Sequence, residues 1–292
     1  MRERLLDEKL EAALGVRPTA RRSLSGGSIN DAYRVDLPDG SSVFAKTHPE
    51  ADSGMFPAEA AGLRALAAAT AAGGPPVPEV LHAAPDLLVL QWFPPGRVGP
   101  NGWGRFGRAM AELHRQAPPA PRRHGFDDDN FIGATAQPNP WTDDGAAFFS
   151  EHRIGFQVRL ARDRGLLSAA HAAQADRVRT RLPDLLAPCA LEPPALLHGD
   201  LWSGNVHARQ DGVVCLIDPA AHYGLREADL AMTRLFGSLP GEFYAAYDEA
   251  YPLPSGVAER VAVFNLYHLL NHLNLFGTGY LGQVLTILSR LS

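Results

Sequence analysis

Three side chains in the second half of the chain carry the strongest chemical signal. Asp200 and Asn205 stand five positions apart within HGDLWSGN, and Asp218 follows thirteen positions later in LIDP. Phosphoryl transfer requires one carboxylate beside the attacking hydroxyl. It also requires an amide oxygen and a second carboxylate on the cations that bridge the phosphates. Mg²⁺ takes hard oxygen donors, few of them from protein, and completes its octahedron with phosphate and water. Asp200 is therefore the expected base or hydroxyl orienter, and Asn205 and Asp218 are the expected metal ligands.

The same arithmetic occurs in protein kinases, where H-R-D-x-x-x-x-N is followed by the Asp of D-F-G. The upstream parts of such a site are present in order. Gly26-Gly27-Ser28 offers close backbone approach to phosphates. Lys46, in VFAKTH, can reach the α- and β-phosphates, and Glu59 on the following helix can pair with it. Only two of the 27 basic residues are lysines, so a Lys with an interior setting calls for a chemical reason. Gln91, Trp92 and Phe93, just before a proline break, are the expected hinge, with backbone groups for the adenine edge. His198 is expected to hold backbone rather than to react. Asp229, in READLAM, is expected to cap its helix or to hydrogen-bond the catalytic loop.

The elements that must position these groups follow from periodicity and turn chemistry. Leu5, Leu6, Leu10 and Leu14 predict a helix over 4–14. Strands are expected over 32–37 and 42–47 around Pro38-Asp39-Gly40, then a helix over 56–72. Two more strands, 80–83 and 87–92, flank Pro85-Asp86. Pro94-Pro95-Gly96 marks a lobe boundary, giving an N-lobe over 1–93 and a C-lobe over 94–292. Further helices are expected over 103–116, 146–164, 168–186 and 257–291, while 126–145 is turn-rich without a clear period. The fold class is α+β.

Composition excludes several classes. Apolar residues make up 46% and charged residues 20%, an ordinary globular balance rather than that of a disordered chain. The net charge of -5 argues against broad nucleic-acid binding. No stretch of about 20 apolar residues exists to span a membrane. Two cysteines, Cys189 and Cys215, make neither a disulfide framework nor a four-Cys zinc site. A cytoplasmic monomer is the expectation.

The chain resembles the fructosamine kinase (ketosamine-3-kinase) family within the protein-kinase-like superfamily. HGDLWSGN, DPAAHYGLREADLAM, QPNPWTDDGAAFFSEHRIG and YHLLNHLNLFGTGYLGQ carry the likeness, which runs from about residue 20 to the C-terminus. The resemblance implies a bilobal protein-kinase-like fold, with a small antiparallel β-sheet N-lobe and a mainly helical C-lobe. It implies ATP and Mg²⁺ as cofactors. The activity it implies is phosphorylation of the 3-hydroxyl of free or protein-bound ketosamines, which renders the adduct labile. Trp202 is then a candidate wall for the sugar, and His268 and His272 are candidate substrate contacts. Aminoglycoside- or choline-type phosphotransferases share the Asp200, Asn205 and Asp218 pattern and form the alternative. Pro219 follows Asp218, so a Phe-in, Phe-out switch is not expected. SLSGGSIN lacks a Cys, so no redox-linked dimer is expected through that loop.

Overall fold

The computed structural model describes residues 2–24, 30–48, 54–119 and 121–292. Gly26, Gly27 and Ser28 lie outside the described residues. Helix α1 (Arg2–Leu14) leads into strands β1 (Ala20–Leu24), β2 (Asp31–Asp36) and β3 (Ser42–Thr47). Helix α2 (Met55–Thr70) and strands β4 (Val80–Ala84) and β5 (Leu87–Gln91) follow. The five strands form one antiparallel sheet in the order β1-β2-β3-β5-β4.

Side chains alternate between the two faces of a strand, and that alternation places the lysine. On one face Val43 and Ala45 of β3 and Leu87 and Val89 of β5 pack with Leu6 and Leu10 of α1. On the other face Leu88 and Leu90 pack with Phe56, Ala60, Leu63 and Leu66 of α2. Lys46 follows Ala45 and so points to the α2 side, opposite Ala32 and Leu88 in register. A one-residue slip would turn it to the α1 side.

The remainder is mainly helical. Helix α3 (Gly102–His114) precedes a hairpin of β6 (Asn130–Ile132) and β7 (Thr135–Gln137). Helix α4 (Gly145–Phe148) continues through a π-helical stretch, Phe149–Gly155, into α5 (Phe156–Asp163), and α6 (Ala169–Ala190) follows. Strands β8 (Ala195–Leu197), β9 (Val206–Ala208), β10 (Val214–Leu216) and β11 (His222–Gly224) flank the HGDLWSGN and LIDP segments. Helices α7 (Glu227–Met232), α8 (Gly241–Ala250), α9 (Val257–Phe276) and α10 (Leu281–Leu291) complete the chain. Helix α9 is buried along most of its length, within a core shared with α5, α6 and α10. No helix among the described residues is long and apolar enough to cross a membrane.

Five regions differ from the sequence expectation. The turn-rich 126–145 segment contains the β6–β7 hairpin, whose three-residue strands are too short to show a period. Helix α6 runs to Ala190, through Pro183 and Pro188. A proline inside a helix costs about 3 kcal/mol, but Leu182, Leu186 and Cys189 are buried in the core and hold the last turns there. The 257–291 helix is two helices, broken at Gly277 (φ +85°) and joined by a 3₁₀ turn, Thr278–Tyr280. Strand β1 and helix α8 are additional elements.

Candidate active site

Two strand pairs frame the catalytic segment. β8 pairs with β11, and β9 pairs with β10. The loop from His198 leaves β8, and Asp218 closes the segment after β10. His198 C=O accepts from the Ala220 N–H at 2.9 Å, which stitches the two stretches together. Gly199 lies between them at φ +83°, and a Cβ there would collide with the Ala220 carbonyl oxygen. The position therefore needs glycine on two grounds.

Within this frame Asn205 Nδ2 donates to the Asp200 main-chain oxygen at 2.9 Å and to its Oδ2 at 3.1 Å. That spends the amide's N–H groups and leaves Oδ1 as an oxygen donor for a cation. Asp218 adopts φ +55°, unusual for a residue with a side chain. Its carboxylate is 45% exposed, whereas those around it are not. Among the described residues no three His, Cys, Asp or Glu groups converge as a metal cage. An amide oxygen and one carboxylate suit a divalent ion that keeps water and phosphate as its other ligands.

Lys46 Nζ is 2.8 Å from Glu59 Oε1 and 2.6 Å from Asp218 Oδ1. Burial works to lower the Lys46 pKa, but the charges of Asp218 and then Glu59 outweigh it and hold the ammonium above its ordinary value. Glu59 is raised by burial, in part offset by Lys46. Burial and then the charge of Asp218 raise Asp200 to about 7, against the Asn205 hydrogen bond. A carboxylate poised there suits general-base work at neutral pH.

The catalytic loop is held from behind. Asp229 accepts the His198 N–H at 2.7 Å and the Gly199 N–H at 2.9 Å. His114 Nε2 lies 3.2 Å from the same carboxylate. His198 Nε2 bonds the Ile217 carbonyl at 2.9 Å, and its Nδ1 accepts the Asp200 N–H at 3.2 Å. His198 thus bridges the two loops, and burial lowers its pKa, which disfavours the charged ring.

The segment after Asp218 is clamped on both sides by residues that had no role assigned from sequence, although Gln137 and Tyr267 open two of the family motifs. Gly62 of α2 lets Pro219 and Ala221 approach: a Cβ there would lie 3.2 Å from the Ala221 Cβ. Opposite, Asn130 Nδ2 donates to the Ala221 carbonyl at 2.8 Å and Gln137 Nε2 to the Ala220 carbonyl at 3.1 Å. Tyr267 donates to Gln137 Oε1 at 2.6 Å. The available signal was Gly133-Ala134 between NFI and TAQ, a two-residue turn with glycine at φ +61°.

At the end of β5 the Gln91 N–H donates to the Glu79 carbonyl, and the Phe93 carbonyl accepts from His207 Nε2 at 3.0 Å. The Arg34 guanidinium lies over the Trp92 ring. Trp202 lies 37% exposed beside Asp200, its indole folded over Gly204, where a Cβ would collide with the ring. His272 is half-buried and its Nδ1–H donates to the His268 carbonyl at 2.8 Å. His268 itself is buried and lines a small cavity behind Gly199, together with Arg153 and Asp229. Burial and then His272 push its pKa down to about 3. Cys215 is buried, with its thiol pushed up to about 12 by burial.

A five-stranded sheet with a Lys–Glu pair, joined to a mainly helical remainder whose inter-strand loops carry an Asp, Asn and Asp constellation, defines a protein-kinase-like phosphotransferase. The fold is shared with the streptomycin-ATP-APH(2")-IIa ternary complex (TM-score 0.67, 13% identity, 98% and 95% of the two chains). The sequence profile of the fructosamine kinase family matches residues 3–292, and the chain belongs to that family. It is 43% identical over 272 residues to the "Probable ketoamine kinase" of Synechocystis sp. (strain PCC 6803), covering 92% of this chain and 89% of that one. It is 37% identical over 275 residues to the chloroplastic protein-ribulosamine 3-kinase of Oryza sativa subsp. indica, covering 92% and 78%. The crystal structure of a fructosamine-3-kinase candidate from Thermobifida fusca YX-ER1 superposes with a TM-score of 0.88 at 34% identity, over 98% of both chains.

Proposed function

We propose that this chain transfers the γ-phosphoryl group of ATP, with Mg²⁺, to the 3-hydroxyl of a ketosamine. The observation that carries this reading is the assembled site in a chain of this family: Lys46 bridging Glu59 and Asp218, with Asn205 clasping Asp200.

Asp200 orients the acceptor hydroxyl and takes its proton as oxygen attacks phosphorus. The bond from the γ-phosphorus to the bridging oxygen breaks, and ADP leaves. Lys46 holds the α- and β-phosphates, Glu59 keeps Lys46 in place, and Gly26, Gly27 and Ser28 supply backbone to the phosphates. Asn205 and Asp218 hold Mg²⁺, which when bound neutralises charge on the phosphate oxygens. The lobes divide after Phe93. The backbone of Gln91, Trp92 and Phe93 takes the adenine edge, through groups other than the Gln91 N–H and the Phe93 carbonyl, which are already engaged. Trp202 walls the sugar, and His272 contacts the substrate with His268 fixing its tautomer from behind. Nothing in this assignment requires a second copy of the chain.

The test is acceptor-dependent ADP release with Mg-ATP across ribuloselysine, erythruloselysine, fructoselysine, kanamycin and choline. Turnover on a ketosamine that Asp200→Asn abolishes is the expected result. Turnover on kanamycin or choline alone overturns the substrate assignment.

A further inference from the structure

From Trp202 and His272, already assigned to the acceptor, a connected set of aromatic rings runs outward through Phe236, Phe276 and Tyr280, which have no role so far. Trp202 meets Phe236 edge-on, with centroids 6.3 Å apart. The His272 ring lies 4.7 Å from Phe236, 5.4 Å from Phe276 and 5.0 Å from Tyr280. Phe276 and Tyr280 meet at 6.2 Å. Phe276 is 51% exposed, one of the few large apolar side chains left in water among the described residues. The set is assembled by the Gly277 break, since a continuous α9 would carry Tyr280 onward along the helix instead of turning it back to His272.

Between Asn271 and Ser292 the only charged residue is Arg290. Arg234, near Phe236 in sequence, stacks on the Tyr244 ring instead. No carboxylate belongs to this set of rings, so a cation there would meet ring faces, which attract cations through their quadrupoles. The platform begins at Trp202, two positions after Asp200 and already assigned as the wall for the sugar.

The geometry points to Phe236, Phe276 and Tyr280 as the platform that receives the amine-bearing arm of the acceptor, selecting a protonated secondary amine over a neutral linkage. This rests on the ketosamine reading, because the nitrogen of a ketosamine lies three bonds from the carbon bearing the reacting hydroxyl. The ammonium sits on the rings, and the alkyl arm beyond it lies along Phe276 and Tyr280.

The experiment compares two acceptors that differ only at nitrogen: the ketosamine of lysine and its N-acetylated, uncharged counterpart. Phe276→Leu and Tyr280→Leu keep the apolar character of their sites, and melting curves confirm that they fold. Each is expected to raise KM for the charged acceptor about tenfold. kcat, KM for Mg-ATP and KM for the neutral acceptor should stay within twofold, and Phe276→Tyr should restore the charged acceptor's KM. Equal effects on both acceptors, or none on either, overturn the proposal while leaving the ketosamine reading standing. Absence of ketosamine turnover in the unaltered enzyme overturns both.

Discussion

Lys46 Nζ sits between Glu59 Oε1 and Asp218 Oδ1, at 2.8 and 2.6 Å, and so joins the sheet, helix α2 and the loop that carries Asp218 at one atom. The pair of carboxylates is unequal. Glu59 is 10% exposed and stays with the lysine, whereas Asp218 is open to the cleft and free to turn to a cation. Gly62 and the Asn130–Gln137 amides hold α2 against the segment after Asp218, so the Lys–Glu pair is assembled without a phosphorylated loop.

Removing the lysine separates stability from chemistry. Lys46→Ala leaves Glu59 buried without its partner, which costs about 3–5 kcal/mol. Lys46→Met combined with Glu59→Gln removes both charges and should recover most of that loss. Activity should remain below a hundredth of the starting value in either protein. Thermal melts beside ADP-release rates read the two quantities. Recovery of activity together with stability would show that the pair is structural only.

Asp200→Asn is expected to lower kcat by about 10²–10⁴-fold and to raise stability at alkaline pH. The folded pKa is about 7, above the ordinary 3.8. The protonated form is therefore favoured by folding. Its contribution is full below pH 3.8 and is lost as pH rises through 7. Asparagine cannot ionise, so the variant should melt higher than the parent at pH 8 without metal or nucleotide, with the gap closing toward pH 4. A gap that widens toward acid would contradict the raised pKa.

The same group sets an acid limb. Rates need ionised Asp200, so kcat/KM for nucleotide should fall below pH about 7. Bound cations stabilise the carboxylate, so the limb in kcat should move to lower pH. Initial rates between pH 5 and 9, at saturating and limiting Mg-ATP, measure both limbs. A kcat limb lying above the kcat/KM limb would rule out this assignment.

Much of this site was legible because it depends on local pattern. The strand over 42–47 is bounded by Pro38-Asp39-Gly40, and alternation along it carries Lys46 to the α2 face. HGDLWSGN and LIDP likewise fix their own turns. What stayed hidden depends on contacts between distant segments. Gly62 looks like any small helical residue until Ala221 packs on it. Gln137 shows nothing in sequence of its bonds to Ala220 and Tyr267, 83 and 130 positions away. The aromatic platform was equally hidden, because it requires the helix break at Gly277 to bring Tyr280 beside His272.

Asp229 gives the sharpest test of how the loop is held. Arg226 Nη1 donates to the Tyr247 hydroxyl at 3.1 Å, which leaves that hydroxyl's proton available to His114 Nδ1, 2.8 Å away. His114 then carries its proton on Nε2 and donates to Asp229. With the His198 and Gly199 amides, three N–H groups converge on one buried carboxylate, whose pKa they lower against the effect of burial. Asp229→Asn keeps the shape but turns an NH₂ toward donors. Each unsatisfied buried donor costs about 1–3 kcal/mol, and the loop carrying Asp200 should loosen. Tyr247→Phe removes the fixing of the tautomer and one acceptor of Arg226 Nη1, which keeps the Tyr251 carbonyl at 2.9 Å, and should be mild. The expected order is a large loss of kcat for Asp229→Asn and a smaller one for Tyr247→Phe. KM for Mg-ATP should stay nearly constant, because Lys46 and Glu59 lie on other elements. A loss in Asp229→Asn expressed wholly in KM for Mg-ATP would mean that Asp229 supports the nucleotide side instead of the catalytic loop.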